Sequence, residues 1–117
     1  MKKDEKMNEW TKEKLEQEIE KSQLTAIYFY TPMCGTCNVA SKMMSVIVEL
    51  FPTIHFGKSD VNYIQPLASH WQIESVPCLI VFHKGKMLEK LYAFHSVDYL
   101  YRLFQNLQNI YGETPKV

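Results

Sequence analysis

Thr25-Ala26-Ile27-Tyr28-Phe29-Tyr30, followed by Thr31-Pro32-Met33 and then Cys34-Gly35-Thr36-Cys37, is the stretch that decides the fold. Its first six positions are rich in aromatic and branched residues and predict a strand. Beyond it, Val39, Met43, Val46, Ile47 and Leu50 recur at helical spacing until Pro52 ends the run. A short strand-to-helix turn therefore delivers two thiols, three positions apart, to the first turn of a helix. Backbone N–H groups without partners and the positive end of the helix dipole stabilise a thiolate there. Thiolate, not thiol, is the nucleophile in disulfide exchange. Positions i and i+3 are also near neighbours on a helix, so the two sulfurs can bond with little backbone movement. The turn has the parts of a reversible dithiol/disulfide switch.

Working outward, a first helix is expected over residues 7–21, with Leu15 and Ile19 as its inner stripe and mixed Glu and Lys on a solvated face. Ile54-His55-Phe56-Gly57-Lys58-Ser59 reads as a second strand in spite of Gly57. Residues 60–63 turn into a short helix that tolerates Pro66 in its first turn, with Leu67 and Trp71 inward. After Val76-Pro77, Cys78-Leu79-Ile80-Val81-Phe82 is a continuous apolar strand of the kind buried on both faces. Lys84-Gly85 supplies a tight hairpin turn into a less apolar edge strand over residues 86–92. Ser96 caps a last helix whose Val97, Leu100, Phe104, Leu107 and Tyr111 form the inner stripe. The order α-β-α-β-α-β-β-α predicts an α/β fold with a central four-stranded sheet flanked by four helices.

The 117 residues suit one domain, 1–117, with residues 1–6 and 112–117 expected to fray. Hydrophobic residues make up 46% of the chain, enough for a packed core. Lysine plus arginine balances aspartate plus glutamate at 13 each, which gives no basic excess for nucleic acid or a membrane surface. No apolar stretch approaches the roughly 20 residues of a membrane span. The polar start shows no signal-peptide core, so a cytoplasmic location is expected. In that reducing setting, Cys-x-x-Cys points to catalysis or metal binding more than to a structural staple.

With these residues in place, the chain resembles the thioredoxin family. The matching features are Cys34-Gly35-Thr36-Cys37 after a strand, Val76-Pro77 before the next apolar strand, and Lys84-Gly85 at the following hairpin. Element order agrees over residues 24–110. The resemblance implies a thioredoxin-like fold with a mixed sheet, Cys34 as the attacking cysteine and Cys37 as the resolving one. It implies a cis bond before Pro77, which lies against both sulfurs, and a Val76 backbone that pairs with the incoming substrate. Met33 then belongs to the substrate surface, and Gly35 and Thr36 form the active-site turn. Several residues depart from the family pattern. Met33 replaces a tryptophan, Thr36 a proline between the cysteines, and Ala93 a glycine on the substrate-facing surface. Lys42 stands where thioredoxin's helix is kinked by proline. Tyr28 stands where thioredoxin carries a buried aspartate thought to help deprotonate the resolving cysteine, whereas Lys58 matches the lysine that accompanies it.

The expected function is that of a cytoplasmic thiol-disulfide oxidoreductase acting on protein disulfides. It would be monomeric, draw electrons from an external reductase or a low-molecular-weight thiol, and use no cofactor beyond its cysteine pair. A rival reading is a thioredoxin-like binding or redox-sensing module that holds a partner around Met33, Val76 and Pro77. A third is a metal or iron–sulfur site built from Cys34, Cys37 and Cys78. Against it, zinc needs a fourth ligand or an open position, and His55, His70, His83 and His95 show no spacing tied to the cysteines. Cys78 reads more simply as a small core residue. His70-Trp71 reads as an exposed histidine beside a packing aromatic. Tyr28 and Tyr30 read as packing residues, since a phenol with a pKa near 10 is a poor base at neutral pH. No glycine-rich phosphate loop or dinucleotide fingerprint is present, so no nucleotide or flavin is expected.

Overall fold

Strand β2, Leu24–Tyr30, is the axis of the sheet. In the computed structural model, which describes residues 7–21 and 23–112, it pairs in parallel with β3, His55–Asp60, and antiparallel with β4, Cys78–His83. β4 continues into β5, Lys86–Leu91, through a two-residue turn in which Lys84 and Gly85 both have positive φ, 54° and 81°. That geometry matches the right-handed twist of the flanking strands. A fifth strand, β1, Asn8–Glu9, pairs in parallel with β3, so the mixed sheet runs β1-β3-β2-β4-β5.

The fifth strand corrects the expected four, and it shortens the first helix. Helix α1 covers Lys12–Ile19, not residues 7–21. Thr11 is its N-cap, accepting the Lys14 N–H on its hydroxyl at 3.3 Å. Two residues of strand carry too little periodicity to be read from sequence. What holds them is Trp10, whose N–H donates to the Lys58 carbonyl at 2.8 Å and whose indole lies flat over Gly57. A side chain at Gly57 would occupy the space of that ring. The glycine that weakens β3 as a sequence signal is therefore the seat of Trp10.

Helix α2, Gly35–Leu50, and helix α4, Val97–Tyr111, pack on one face of the sheet. Helix α1 and the short α3, Gln65–His70, pack on the other. A single 3-10 turn, Val61–Tyr63, precedes α3. Strand alternation divides the two cores. Leu24, Ala26 and Tyr28 of β2 and Leu79 and Val81 of β4 face α2 and α4. Ile27 and Phe29 of β2 and Cys78, Ile80 and Phe82 of β4 face α1 and α3.

α2 is apolar around more than half its circumference, and the face it buries is not the one its spacing picks out. Ala40, Met44, Ile47 and Val48 enter the core, whereas Val39, Val46 and Leu50 are exposed. Met43 lies half-buried between the two sets. On α4 the expected stripe is buried at Leu100, Phe104 and Leu107. Tyr111 at its end is partly exposed, its ring 5.1 Å from that of His83. Gly112 closes the helix with its N–H on the Gln108 carbonyl at 2.8 Å. Of the segments expected to fray, 1–6 and 112–117, Gly112 is described as this helix end and the rest lies outside the described residues.

At the end of the sheet where β2 begins, Glu18 of α1 is 3% exposed. Its carboxylate accepts from Lys21 at 2.9 Å, Lys14 at 3.1 Å and His55 Nδ1 at 2.9 Å. Burial pushes this carboxyl up, but the hydrogen bonds from Lys21, His55 and Lys14 outweigh it and hold the pKa at about 2. A folded-state value below the ordinary 4.5 stabilises the fold at every pH above that ordinary value. The stabilisation is lost as pH falls from about 4.5 through about 2. The Glu18→Gln variant is therefore expected to be less stable than the parent at pH 7, with the gap closing as pH drops through that window. Denaturant midpoints at several pH values measure it, and a gap that stays constant down to the acid end would remove Glu18 from the account.

Candidate active site

Cys34 sits between strand and helix. Its N–H bonds to the Thr31 carbonyl at 3.2 Å, and its extended backbone (φ −89°, ψ 115°) makes it the N-cap of α2. The cap is a sulfur. Sγ accepts the Cys37 N–H at 3.2 Å, satisfying one of the donors that a helix start leaves unpaired. The Thr36 hydroxyl lies 3.2 Å from the same sulfur. Both contacts favour negative charge on Sγ. The Cys34 thiol is held below its ordinary value, first by hydrogen bonding with the Cys37 side chain and then by Thr36. Gly35 stands in open space, where an added Cβ would meet nothing within 4 Å. The turn is open to solvent beside Cys34.

Cys37, one turn into the helix, is 3% exposed. Burial raises its pKa, and the hydrogen bond with Cys34 raises it further. The two thiols are thus driven apart, one toward thiolate and accessible, one toward thiol and shielded. Both are free, so this is the reduced form of the pair.

The wall beside them comes from a distant segment. The Val76–Pro77 peptide is cis, and the Val76 carbonyl lies 3.8 Å from Cys34 Sγ, within reach of the thiol's S–H. Cys34, Thr36, Cys37 and Val76 therefore meet in one place. Met33 is 93% exposed on the same turn, an apolar and pliable side chain presented to solvent.

Tyr28 lies beneath. It is fully buried, stacked on Tyr30 at 5.8 Å and edge-on to Phe94 at 5.9 Å. Its hydroxyl donates to the Cys37 carbonyl at 2.8 Å and lies 2.9 Å from the Ser41 Oγ. A phenol has one proton to give, so Ser41 is the donor in that second bond. Burial drives the Tyr28 pKa upward, so the group stays a neutral phenol. Tyr28 packs in the core as expected, and its hydroxyl also ties the first two turns of α2 to the sheet. Ser41, four residues after Cys37, is the site neighbour that sequence reading did not name. Its only signal is that spacing.

The remaining candidates fall elsewhere. Cys78 pairs with Phe29 across β2 and β4 and is completely buried on the α1/α3 face. The sheet separates it from α2, and burial pushes its thiol up to about 12. That placement argues against a shared metal site with Cys34 and Cys37. His55 contacts Glu18 and His95 meets Tyr99 edge-on. Trp71 packs on Phe29 and Phe82 beside an exposed His70. Lys58 lies over the Tyr30 ring at 5.8 Å, and Lys42 and Ala93 are exposed.

An α/β sheet of this order, with a cysteine pair at the head of α2 and a cis proline opposite, defines a dithiol protein of the thioredoxin fold. Solved structures agree. A thioredoxin mutant from Halobacterium salinarum superposes with a TM-score of 0.78, covering 99% of this chain and 98% of that one at 23% identity. The thioredoxin of Trypanosoma brucei brucei gives 0.74, covering 92% and 91% at 24% identity. At the level of sequence, the Thioredoxin family model matches residues 6–106. The thioredoxin-like protein YusE of Bacillus subtilis is 53% identical over 79 residues, spanning 68% of this chain and 74% of the relative. A thioredoxin H-type of Picea mariana is 31% identical over 85 residues, spanning 73% and 68%. The chain belongs to the thioredoxin family and is a thiol-disulfide oxidoreductase.

Reaction of the reduced protein with iodoacetamide is expected to modify Cys34 far faster than Cys37 or Cys78 at pH 7. The pH profile for Cys34 should rise below that of a free thiol and shift upward in Thr36→Val, which removes one donor to the sulfur. A Cys34 profile at or above the free-thiol value would mean that the helix start does not activate it.

Proposed function

We propose that this protein reduces protein disulfides in the cytoplasm, as a monomer, through dithiol exchange between Cys34 and Cys37. The observation that carries the reading is the asymmetry of the pair: a partly exposed sulfur that accepts the Cys37 N–H and lies against the Thr36 hydroxyl, and a second thiol one helical turn away that is almost fully shielded.

In the first step the Cys34 thiolate attacks one sulfur of the substrate disulfide. A Cys34–substrate disulfide forms, the substrate S–S bond breaks, and the other substrate sulfur leaves as thiolate. Cys37 then loses its proton and attacks Cys34 Sγ. The Cys34–Cys37 disulfide forms and the second substrate thiolate departs. The substrate gains two electrons and the protein loses two. An external reductase or a low-molecular-weight thiol returns them, with no cofactor beyond the sulfur pair. Val76 supplies the backbone edge along which the substrate segment lies, with Pro77 and Met33 completing the surface. Nucleic acid and membrane play no part in this cycle. No helix among the described residues is long and apolar enough to cross a membrane.

Cys37→Ser should stop the cycle at the mixed disulfide. Thiol-reversible adducts with proteins from a cytoplasmic extract are then expected to accumulate on Cys34 of this variant and not on Cys34→Ser. No adduct, together with no turnover of a generic protein disulfide by the parent, would favour the binding-module reading.

The second half of the cycle should be the slower one at neutral pH. Cys37 is held toward the thiol, and the group beside it is a neutral phenol, which takes up no proton. Release from a Cys34-linked model disulfide, followed in single turnover, is expected to accelerate as pH rises and the Cys37 thiolate fraction grows. Tyr28→Asp is expected to raise the rate at pH 7 while lowering stability, because a buried carboxylate loses hydration and the phenol's packing is lost. Equal or slower release in the variant would assign Tyr28 to packing alone.

A further inference from the structure

The segment that carries Val76 and Pro77 is fastened upstream by two side chains from the opposite edge of the sheet. α3 ends with the Gln72 N–H on the Ser69 carbonyl at 3.0 Å and the Ile73 N–H on the Ala68 carbonyl at 2.9 Å. Gln72 lies at φ 55°, in the left-handed region that this helix ending uses and that glycine ordinarily fills. The carbonyls that this turn directs outward are taken by Lys90 of β5. Its Nζ donates to the Trp71 carbonyl at 3.1 Å and to the Gln72 carbonyl at 3.0 Å. The Tyr92 hydroxyl, two residues on, donates to the Gln72 carbonyl at 3.2 Å and accepts the Glu74 N–H at 3.2 Å. The Lys90 ammonium also lies 5.9 Å from the centre of the Tyr92 ring.

An edge-strand lysine usually extends into water and discourages strand addition. Lys90 is committed to two backbone carbonyls of another element instead. The result is a closed loop: β5 pairs with β4 at Ile80↔Lys90, β4 starts directly after Pro77, and residues 71–74 return to the same stretch of β5. Residues 75–77 are strung between two fixed points, and Val76 faces Cys34 from there.

We propose that Lys90 and Tyr92 are positioning residues for the protein substrate: by clamping residues 71–74 they hold the Val76 backbone in place beside Cys34 before the substrate arrives. The proposal rests on the reading of Val76 as the edge along which a substrate segment lies. An unclamped segment must be ordered when the substrate binds, and that entropy is taken from the binding free energy. The contacts that activate Cys34, from Cys37 and Thr36, lie on another segment and do not depend on the clamp. A small disulfide needs Cys34 alone. A disulfide embedded in an extended chain needs the edge as well.

The test compares the parent, Lys90→Met, Tyr92→Phe, the double variant and Lys90→Arg, all as reduced full-length chains. Rates are measured against insulin over a range of concentrations and against the small aromatic disulfide dithionitrobenzoate. Because the clamp acts on preorganisation, the double variant should need about fivefold more insulin for half-maximal rate, with the maximal rate held within about twofold. Its rate with dithionitrobenzoate and its Cys34 alkylation profile should match the parent. Lys90→Arg should retain the parental half-saturation, since a guanidinium also donates to two carbonyls. Unchanged half-saturation in the double variant overturns the proposal, as does equal loss toward both disulfides, which would mark the clamp as general scaffolding. If the parent itself reduces dithionitrobenzoate but not insulin, the protein-substrate reading fails and the clamp proposal falls with it.

Discussion

A sulfur stands where a helix start ordinarily has an oxygen, and the site is organised around that substitution. The Cys34–Cys37 N–H contact is at once the cap of α2 and a hydrogen bond that favours a thiolate at Cys34. Helix start and thiolate therefore cannot be tuned separately. A stronger hold on the negative sulfur improves the cap and increases the thiolate fraction, but it also makes the thiolate a weaker nucleophile per molecule. Thr36 adds a hydroxyl to the same sulfur, where a proline would offer no donor. This pushes the balance further toward the thiolate.

The sheet decides which groups can reach that sulfur. Alternation along β2 sends Tyr28 toward α2 and Phe29 to the other side, and alternation along β4 sends Cys78 to the side away from α2. The third cysteine, one residue from the cis proline in sequence, is thereby separated from the pair by a layer of backbone. The same rule puts the Tyr28 hydroxyl under the second turn of α2, where it serves the Cys37 carbonyl and Ser41. Parity along a strand, more than distance along the chain, divides active from inert residues here.

Support for the site is spread over segments that carry no chemistry. Trp10 on Gly57 adds β1 to the edge next to β3, and Glu9 in that strand takes the Tyr30 hydroxyl at 2.6 Å and the Asp60 N–H at 3.1 Å. Tyr30 is the last residue of β2 before the active-site turn, so this edge steadies the approach to Cys34. Lys90 and Tyr92 act at the opposite edge, on the approach to Val76. Both arrangements use side chains to close backbone groups that regular pairing leaves open.

Much of this was legible in the residues. Continuous apolar strands, a cysteine pair at a helix start, Lys84-Gly85 at a hairpin and Ser96 before an amphipathic run each have a local physical cause, and each stands in the structure where that cause puts it. What depends on contacts distant in sequence was not legible. The strand Asn8–Glu9 exists because Trp10 finds Gly57, and two residues hold no pattern that could announce it. The buried face of α2 was hidden because Val39, Ala40, Met43, Met44, Val46, Ile47, Val48 and Leu50 surround most of the helix. Periodicity cannot choose among them, and the sheet chooses Ala40, Met44, Ile47 and Val48. Ser41 beside Tyr28 and Lys90 on the end of α3 belong to the same class. A polar side chain reveals its chemical capacity in the sequence, but its partner is set only when the chain brings distant backbone groups within hydrogen-bond distance.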